Sequence, residues 1–275
     1  MLSLEKVTKK YGQKVVLQNI DLDFKDQSGV YGLLGRNGVG KTTMMKMIND
    51  MIASYDGRIS TSFDLAHIVF VTSAVADNNT IFQGKITNLM RYYASMYPNF
   101  DSDYAKNLLA RFNLNPKLKI KKLSTGNKTL VYNILGLATR ETITVFDEPT
   151  NGLDSVNRQK FLDIMLEDYA QHPRLIVLST HLIQEVENYL THVIMLKDTS
   201  LMMDDDIEDI QKRAVRISNA TLPNKRVIHQ RQLGSMTETY LFDTVTEEDI
   251  QEVTGQGGKV DYYDLQTLFN YLVED

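Results

Sequence analysis

Residues 35–43 read Gly-Arg-Asn-Gly-Val-Gly-Lys-Thr-Thr, a glycine-rich run between an apolar segment, 30–34, and a helix-forming segment, 44–48. Glycine has no Cβ, so successive backbone N–H groups can close around a polyphosphate. The N-terminus of the following helix adds unpaired N–H groups and a positive dipole end. Lys41 supplies a charge for the outer phosphates, and the Thr42 hydroxyl can ligate Mg²⁺. This order of strand, glycine-rich turn, Lys-Thr and helix predicts a phosphate loop.

A second apolar run, 142–146, ends in two carboxylates, Asp147 and Glu148. Its β-branched residues predict a buried parallel strand that delivers both to its C-terminal edge, where ligands of open α/β sheets bind. Asp147 can hold Mg²⁺ directly or through water. Glu148 can polarise a water against the terminal phosphate. A further buried strand, 175–180, ends in His181, which can contact a terminal phosphate at the same edge.

Composition limits the classes of function. The chain has 275 residues, 43% of them hydrophobic, which suits one large domain or a large domain with an appendage. The formal net charge of −5 argues against broad binding to a nucleic-acid backbone. Since there is no cysteine, we expect no disulfide, thiolate zinc site or cysteine nucleophile. No signal-peptide core or run of about 18–20 apolar residues is present, so we expect a soluble chain whose membrane role requires a partner.

The N-terminal segment, residues 2–28, alternates apolar and polar residues around a turn at Tyr11-Gly12. This pattern predicts antiparallel strands. An aromatic residue at the turn can stack on a purine ring, which offers a flat π face, or it can cover the sheet edge. Both interpretations of Tyr11 remain open on the sequence alone.

Helical spacing marks the middle of the chain. Apolar residues recur at helical positions from Ile86 to Tyr97, a stripe that is typical of core, with a docking face for a partner as the alternative. A second helix is predicted over 104–112. The segment 123–127, Leu-Ser-Thr-Gly-Asn, precedes a third helix that runs through Ala138.

Taken in order, these segments resemble the nucleotide-binding subunit of an ATP-binding cassette (ABC) transporter over roughly residues 1–213. The resemblance matches the adenine-stacking aromatic with Tyr11, and the ATP-binding loop with Gly35, Asn37, Gly38, Gly40, Lys41, Thr42 and Thr43. It matches the family signature with Ser124 and Gly126, the magnesium residue with Asp147, the catalytic glutamate with Glu148, the D-loop aspartate with Asp154 and the switch histidine with His181.

The fold implied by the resemblance is α/β: a P-loop NTPase core with an antiparallel β subdomain and a helical signature subdomain at about 74–138. Residues 214–275 lie beyond this core. Their predicted strands and helices, which include a capped helix from Thr246, indicate a small C-terminal α/β appendage. Its role in dimer contact, regulation or packing stays open.

The resemblance also implies ligands and partners. Two subunits, identical or different, are expected to enclose two ATP with Mg²⁺, each signature helix contacting the γ-phosphate held by the other subunit. A separate membrane-spanning subunit would hold them at the inner face of the cell membrane, in the cytoplasm. The segment 97–101 and the altered signature are most similar to small bacterial exporters of antibiotics and of amphipathic, antimicrobial peptides.

Two positions depart from the family pattern. The signature has Thr125 and Asn127 where glycine and glutamine are the norm, so we expect weakened phosphate contact. The Q-loop glutamine should fall at Ser73, and Gln83 stands too far along the chain to replace it. Ser73 or Thr72 could still act as a ligand through water, and the way in which the chain couples to its membrane partner stays open.

Other classes remain as alternatives. A soluble, non-transport ABC ATPase would share the motifs, although a translation factor would carry two cassettes and a chromosome-type ATPase a long coiled coil. A non-hydrolysing binding module is disfavoured because Glu148 and His181 are both present. A small GTPase is disfavoured because residues 127–130, Asn-Lys-Thr-Leu, lack the guanine-reading aspartate.

Overall fold

The computed structural model describes residues 2–24, 28–62, 67–72 and 84–273. Contacts divide the chain into two compact units: Met1–His181 with His192–Asp204, and Leu182–Thr191 with Asp205–Asp275. This division differs from the sequence-based boundary after residue 213. Within the second unit, Glu187 accepts a hydrogen bond from the backbone N–H of Leu265, which ties the 182–191 segment to the C-terminal residues. The assignment of residues 1–213 and 214–275 as functional domains stays a prediction.

The elements of the first unit confirm an α/β fold. Its strands are β1 (Leu2–Tyr11), β2 (Lys14–Phe24), β3 (Gly29–Leu34), β4 (Asp56–Thr61), β5 (Ile68–Thr72), β6 (Ile143–Asp147), β7 (Leu175–Thr180), β8 (His192–Lys197) and β9 (Ser200–Asp206). Its helices are α1 (Lys41–Ile48), α2 (Ile86–Met96), α3 (Ser102–Arg111), α4 (Thr125–Ala138) and α5 (Ser155–Gln171).

A six-stranded sheet forms the centre of this unit, in the order β5-β6-β7-β3-β8-β9. Along the run β5-β6-β7-β3-β8, each strand pairs in parallel with its neighbours. Every residue of β3, β6 and β7 is buried, as expected for parallel strands covered on both faces. The carboxyl ends of β6 and β7 therefore bring Asp147 and Thr180 to one edge of the sheet.

A second sheet in the unit is antiparallel, in the order β2-β1-β4. The predicted hairpin at Tyr11-Gly12 is confirmed, with Tyr11 paired to Lys14. The inward residues of this sheet, among them Leu4, Leu22 and Phe24, share one core with α1 and the central strands. This shared core fixes the hairpin relative to the loop between β3 and α1.

The predicted helical stripe from Ile86 divides in the structure. Ile86, Leu89 and Met90 are buried as expected of core, whereas Met96 and its neighbour Tyr92 are exposed. Helix α4 is buried along most of its length. It packs against the central sheet, and a Cβ added at Gly136 would lie 2.4 Å from Val71 Cγ2.

The second unit contains α6 (Ile183–Val186), α7 (Ile207–Arg213), β10 (Ala214–Ser218), β11 (Val227–Leu233), β12 (Met236–Phe242), α8 (Glu247–Gly255), β13 (Lys259–Tyr262) and α9 (Leu265–Val273). Its four-stranded antiparallel sheet has the order β11-β12-β10-β13. One face packs with Val253 of α8 in a small apolar core. The predicted helix start at Thr246 is confirmed as a capping box with Asp249.

Three observed strands have no counterpart in the sequence-based prediction: β8, β9 and β11. Within the residues that the structure describes, no helix combines the length and apolar character needed to cross a bilayer.

A buried ion cluster lies behind the central sheet. Asp168 of α5 accepts hydrogen bonds from Arg140, which follows α4, and at 2.6 Å from Arg174 Nη2, which precedes β7. Arg174 Nε also donates to Thr144 Oγ1 at 3.2 Å. The carboxylate thus joins two helices to two central strands.

Replacing Asp168 with Asn should lower the free energy of unfolding by about 3 kcal/mol, because two arginines lose their buried counter-ion. Glu167→Gln on the same helix is the control. It removes an exposed pair with Arg111 and should change stability by less than about 1 kcal/mol. Urea unfolding of both variants measures the difference, and equal losses would contradict a structural role for the buried cluster.

Candidate functional site

The loop between β3 and α1 has the conformation expected of a phosphate loop. Gly40 caps α1 with φ of 117°, a region that favours glycine. A Cβ at this position would lie 2.8 Å from Leu17 Cδ2 and 3.0 Å from the Val16 carbonyl oxygen. Glycine is therefore required both by the backbone angle and by the close approach of β2, which holds the loop from one side.

Lys41 begins α1, and its side chain is buried over the loop. Its Nζ donates to the backbone oxygen of Gly35 at 2.6 Å and of Arg36 at 3.2 Å. Burial lowers the pKa of Lys41, and the nearby carboxylates of Glu148 and Asp147 oppose that shift. The ammonium thus folds back onto the loop that surrounds the place where phosphates are expected.

Asp147 lies at the end of β6 with both carboxylate oxygens engaged by hydroxyls. Thr42 Oγ1 donates at 2.9 Å to Oδ2. Ser179 Oγ of β7 donates at 2.7 Å to Oδ1, and Thr72 Oγ1 of β5 donates at 3.3 Å to Oδ2. The structure therefore brings together Thr42 and Asp147, the two predicted magnesium residues, although they are 105 positions apart.

Glu148 follows directly and has a left-handed backbone, with φ of 53°. Non-glycine residues adopt this region rarely, and such strain clusters at functional sites. Its backbone N–H donates to the backbone oxygen of Ser179 at 3.2 Å and to Ser179 Oγ at 3.1 Å. Its Oε2 lies 2.9 Å from Nδ1 of His181, so the predicted pair of acid and histidine is in direct contact.

A cleft of about 330 Å³ opens over these groups. Its lining includes four more of the predicted nucleotide-binding residues, Asn37, Gly38, Gly40 and Thr43, together with Lys41, Thr42 and Glu148. A larger cleft, of about 1180 Å³, lies at the opposite edge of the central sheet, beside Ile143 and Leu175. Lys41, Thr42 and Glu148 line the smaller cleft because the carboxyl ends of the parallel strands meet at that edge.

Tyr11 lies outside this lining, at the end of β1, with half of its side chain exposed. It pairs with Lys14, and Val16, two residues further along β2, lines the cleft. Two residues of a strand span about 7 Å. At this distance from the phosphate-loop cleft, the Tyr11 ring is suitably placed to stack on the purine ring of a nucleotide.

The signature residues occupy a different place from the phosphate loop. Ser124 caps α4, and its Oγ accepts from the Asn127 backbone N–H at 3.2 Å. A Cβ at Gly126 would lie 2.4 Å from the backbone oxygen of Gly152. Neither Ser124 nor Gly126 is part of the described lining of the phosphate-loop cleft. Gly126 instead permits the start of α4 to touch the turn that follows Glu148.

Asp154 caps α5 on the other side of the same turn. Its carboxylate accepts from the backbone N–H of Asn157 at 2.9 Å, and this bond lowers the pKa of Asp154. The positions Ser73 and Gln83, on which the Q-loop departure rests, lie outside the described residues.

Sequence reasoning missed Ser179 and Leu17. Ser179 of β7 bonds to Asp147, and Leu17 abuts Gly40 from β2. A signal existed for the Ser179 hydroxyl, since it stands near the carboxyl end of an apolar strand. Thr72, which the sequence suggested only as a ligand through water, bonds directly to Asp147 from the end of β5. The contact of β2 with the loop depends on tertiary packing and had no local signal.

The donor set fits ATP with Mg²⁺. A glycine-rich turn, a helix N-terminus and a lysine meet at one cleft, and the space where a Cβ of Gly38 would stand is open. Among the described residues no group of three or more His, Cys, Asp or Glu side chains could hold a metal by itself. Magnesium at nucleotide sites needs only one or two protein ligands, because the phosphates and water supply the rest.

Comparison with known proteins identifies the class. Residues 17–151 match the ABC transporter family model. Over 253 residues the chain is 30% identical to the ABC transporter ATP-binding protein YtrB of Bacillus subtilis, covering 89% of this chain and 86% of that protein. The chain belongs to the ATP-binding proteins of ABC transporters, whose members hydrolyse ATP to drive transport.

A further relative is named for the same class, and solved structures share the fold. The lantibiotic transport ATP-binding protein SrtF of Streptococcus pyogenes is 24% identical over 82% of this chain and 100% of its own length. A putative cobalt transport ATP-binding protein, cbiO-2, superposes with a TM-score of 0.67 at 17% identity, over 98% of this chain and 100% of that chain. The cbiO1 protein of Clostridium perfringens, part of the complex cbiONQ, gives 0.62 at 22% identity, over 76% and 89%. At these identities the structural likeness shows the fold.

Replacing Lys41 with Ala should weaken ATP binding about tenfold or more, roughly 1.4 kcal/mol. The buried ammonium would meet the outer phosphates at a site partly shielded from solvent, where charge–charge attraction is stronger than in bulk water. Lys46→Ala, on the same helix, is the control and should bind ATP normally. Calorimetry measures both, and unchanged affinity in the Lys41 variant would remove this lysine from the phosphate site.

Proposed function

We propose that this chain is the ATP-hydrolysing subunit of a bacterial exporter and acts as a dimer around two ATP with Mg²⁺. The observation that carries the proposal is the meeting of Thr42, Asp147, Glu148 and His181 beside a phosphate loop. Thr42 and Asp147 hold the metal. Glu148 orients and deprotonates the attacking water, and His181 holds the Glu148 carboxylate and reaches the terminal phosphate.

Substrate positioning is divided along the cleft. The backbone N–H groups of the loop, with Lys41, bind the β- and γ-phosphates. Tyr11 stacks on adenine at the far end, where its half-exposed ring faces solvent. Fixing both ends of the nucleotide sets the γ-phosphate in line with the water that Glu148 holds.

The dimer is supported by the placement of the signature. Ser124 and Gly126 stand at the N-terminus of α4, which suits a phosphate, yet they do not line the cleft of their own chain. A second subunit would bring its Ser124 and Gly126 to the γ-phosphate, and Asp154 lies beside that interface. The contact of Gly126 with Gly152 ties this surface to the turn after Glu148, so closure and hydrolysis are linked.

Glu148→Gln should trap an ATP-bound dimer. Glutamine keeps the size and holds the water but cannot accept its proton, so turnover should fall at least ~10²-fold, about 2.7 kcal/mol of barrier. ATP binding should survive, and light scattering after size exclusion should find dimer with ATP and Mg²⁺ and monomer with ADP.

The control for this trap is Glu148→Gln combined with Ser124→Arg, which places bulk at the facing phosphate and should leave a monomer. Normal hydrolysis by Glu148→Gln would remove Glu148 from the catalytic role. If the Glu148→Gln single variant binds ATP but stays monomeric, the homodimer is contradicted, and a heterodimer with another cassette subunit is left as the proposal.

The partner is proposed to be a separate membrane-spanning subunit that holds the dimer at the cytoplasmic face of the membrane. The exposed Tyr92 and Met96 on α2 offer an apolar contact for it, since large apolar side chains exposed together mark interaction sites. Antimicrobial or amphipathic peptides are the proposed cargo, supported by similarity to the lantibiotic transport protein SrtF.

Replacing both Tyr92 and Met96 with Ser should abolish co-purification with the proposed membrane-spanning subunit. ATP hydrolysis by the isolated chain should not change, because neither residue touches the cleft. Tyr262→Ser is the control, since Tyr262 is at least as exposed but lies in the other unit. Retained co-purification of the double variant would exclude α2 as the docking face.

A further inference from the structure

Lys9 is a buried lysine next to Tyr11, the residue proposed to stack on adenine. Only 5% of its surface is exposed, although lysine is almost never fully buried unless it has partners. Its Nζ donates to the backbone oxygen of Ser54 and lies 4.8 Å from the centroid of the Tyr11 ring. Both contacts are uncharged: one carbonyl oxygen and one aromatic face.

The strand explains why these two side chains meet. Lys9 and Tyr11 are two residues apart on β1, so they point to the same side of the sheet. Lys10 stands between them, points to the other side and is exposed. Two neighbouring lysines therefore have different environments, and only the buried one reaches the ring.

The contact orients the ring. A cation over one face of a tyrosine is attracted by the negative potential of that face. The carbonyl of Ser54, in the segment between α1 and β4, fixes the position of the cation from the other end. Since half of the Tyr11 side chain remains exposed, the ring is held from one side while it stays open to a ligand.

We propose that Lys9 is a positioning residue for the purine ring of the nucleotide. It holds Tyr11 in the orientation that stacks on the base, and through Ser54 it ties that orientation to the segment that follows the phosphate-loop helix. This inference rests on the proposed stacking role of Tyr11. A ring already oriented loses less freedom when the base arrives, which strengthens binding.

The test compares ATP with tripolyphosphate, which has the phosphates and no base. Lys9→Met should weaken Mg²⁺·ATP binding about fivefold, on the scale of a partly buried cation–π contact. Affinity for Mg²⁺·tripolyphosphate should stay unchanged, KM for ATP should rise, and kcat should hold. Lys10→Met removes the same charge from the exposed face and should bind both ligands normally.

Two further variants separate orientation from folding. Lys9→Arg keeps a cation and should restore ATP affinity, whereas Lys9→Gln keeps a donor for Ser54 without a charge and should behave like Lys9→Met. In a Tyr11→Ala background, Lys9→Met should cause no additional loss of ATP affinity. Calorimetry measures all of these, with thermal unfolding to show that each variant is folded.

Three results would overturn the inference: an equal loss for ATP and tripolyphosphate, normal ATP binding by Lys9→Met, or a full additional loss in the Tyr11→Ala background. If Tyr11→Ala alone binds ATP as tightly as the natural protein, the stacking role itself is wrong. A weakened Tyr11→Ala with a normal Lys9→Met would leave stacking in place and remove only Lys9.

Discussion

The hydroxyls of Thr42, Ser179 and Thr72 converge on the carboxylate of Asp147, and the geometry of the site depends on this convergence. The hydroxyls come from α1, β7 and β5, and Asp147 itself ends β6. One buried carboxylate therefore links the phosphate-loop helix to the ends of three strands. A buried carboxylate is stable only when its oxygens are hydrogen-bonded. The loss of any one hydroxyl would therefore destabilise the carboxylate on which the other two depend. A magnesium ion would find both protein ligands already adjacent.

The turn after Asp147 connects the metal site to a second surface, the start of α4. Glu148 adopts a left-handed backbone held by Ser179, and the turn then reaches Gly152, whose carbonyl oxygen leaves no room for a side chain at Gly126. The metal site, the acid and the start of α4 are thus joined within a few residues. A structural change at the γ-phosphate would be transmitted to the proposed dimer surface through backbone contacts and not through long flexible side chains.

The sequence predicts those parts of the site that local chemistry determines. The phosphate loop, the Asp147-Glu148 pair and His181 follow from apolar runs that end in polar residues, and the structure places them together. Contributors that depend on packing were missed, such as Leu17 against Gly40. The edge strand β11 was missed because its mostly exposed residues show no alternation. The stripe on α2 divided between core and surface because periodicity marks a face without showing how far the face is covered.

The most direct test of this account is the Mg²⁺ dependence of ATP binding in Asp147→Asn, measured by calorimetry with and without the metal. Asparagine keeps the shape and can still hydrogen-bond to the hydroxyls, as an acceptor through its Oδ1 and as a donor through its Nδ2, but it removes the charge that Mg²⁺ requires. The account predicts that ATP affinity no longer increases when Mg²⁺ is added, while affinity without the metal is preserved. Full Mg²⁺ dependence in this variant would contradict it.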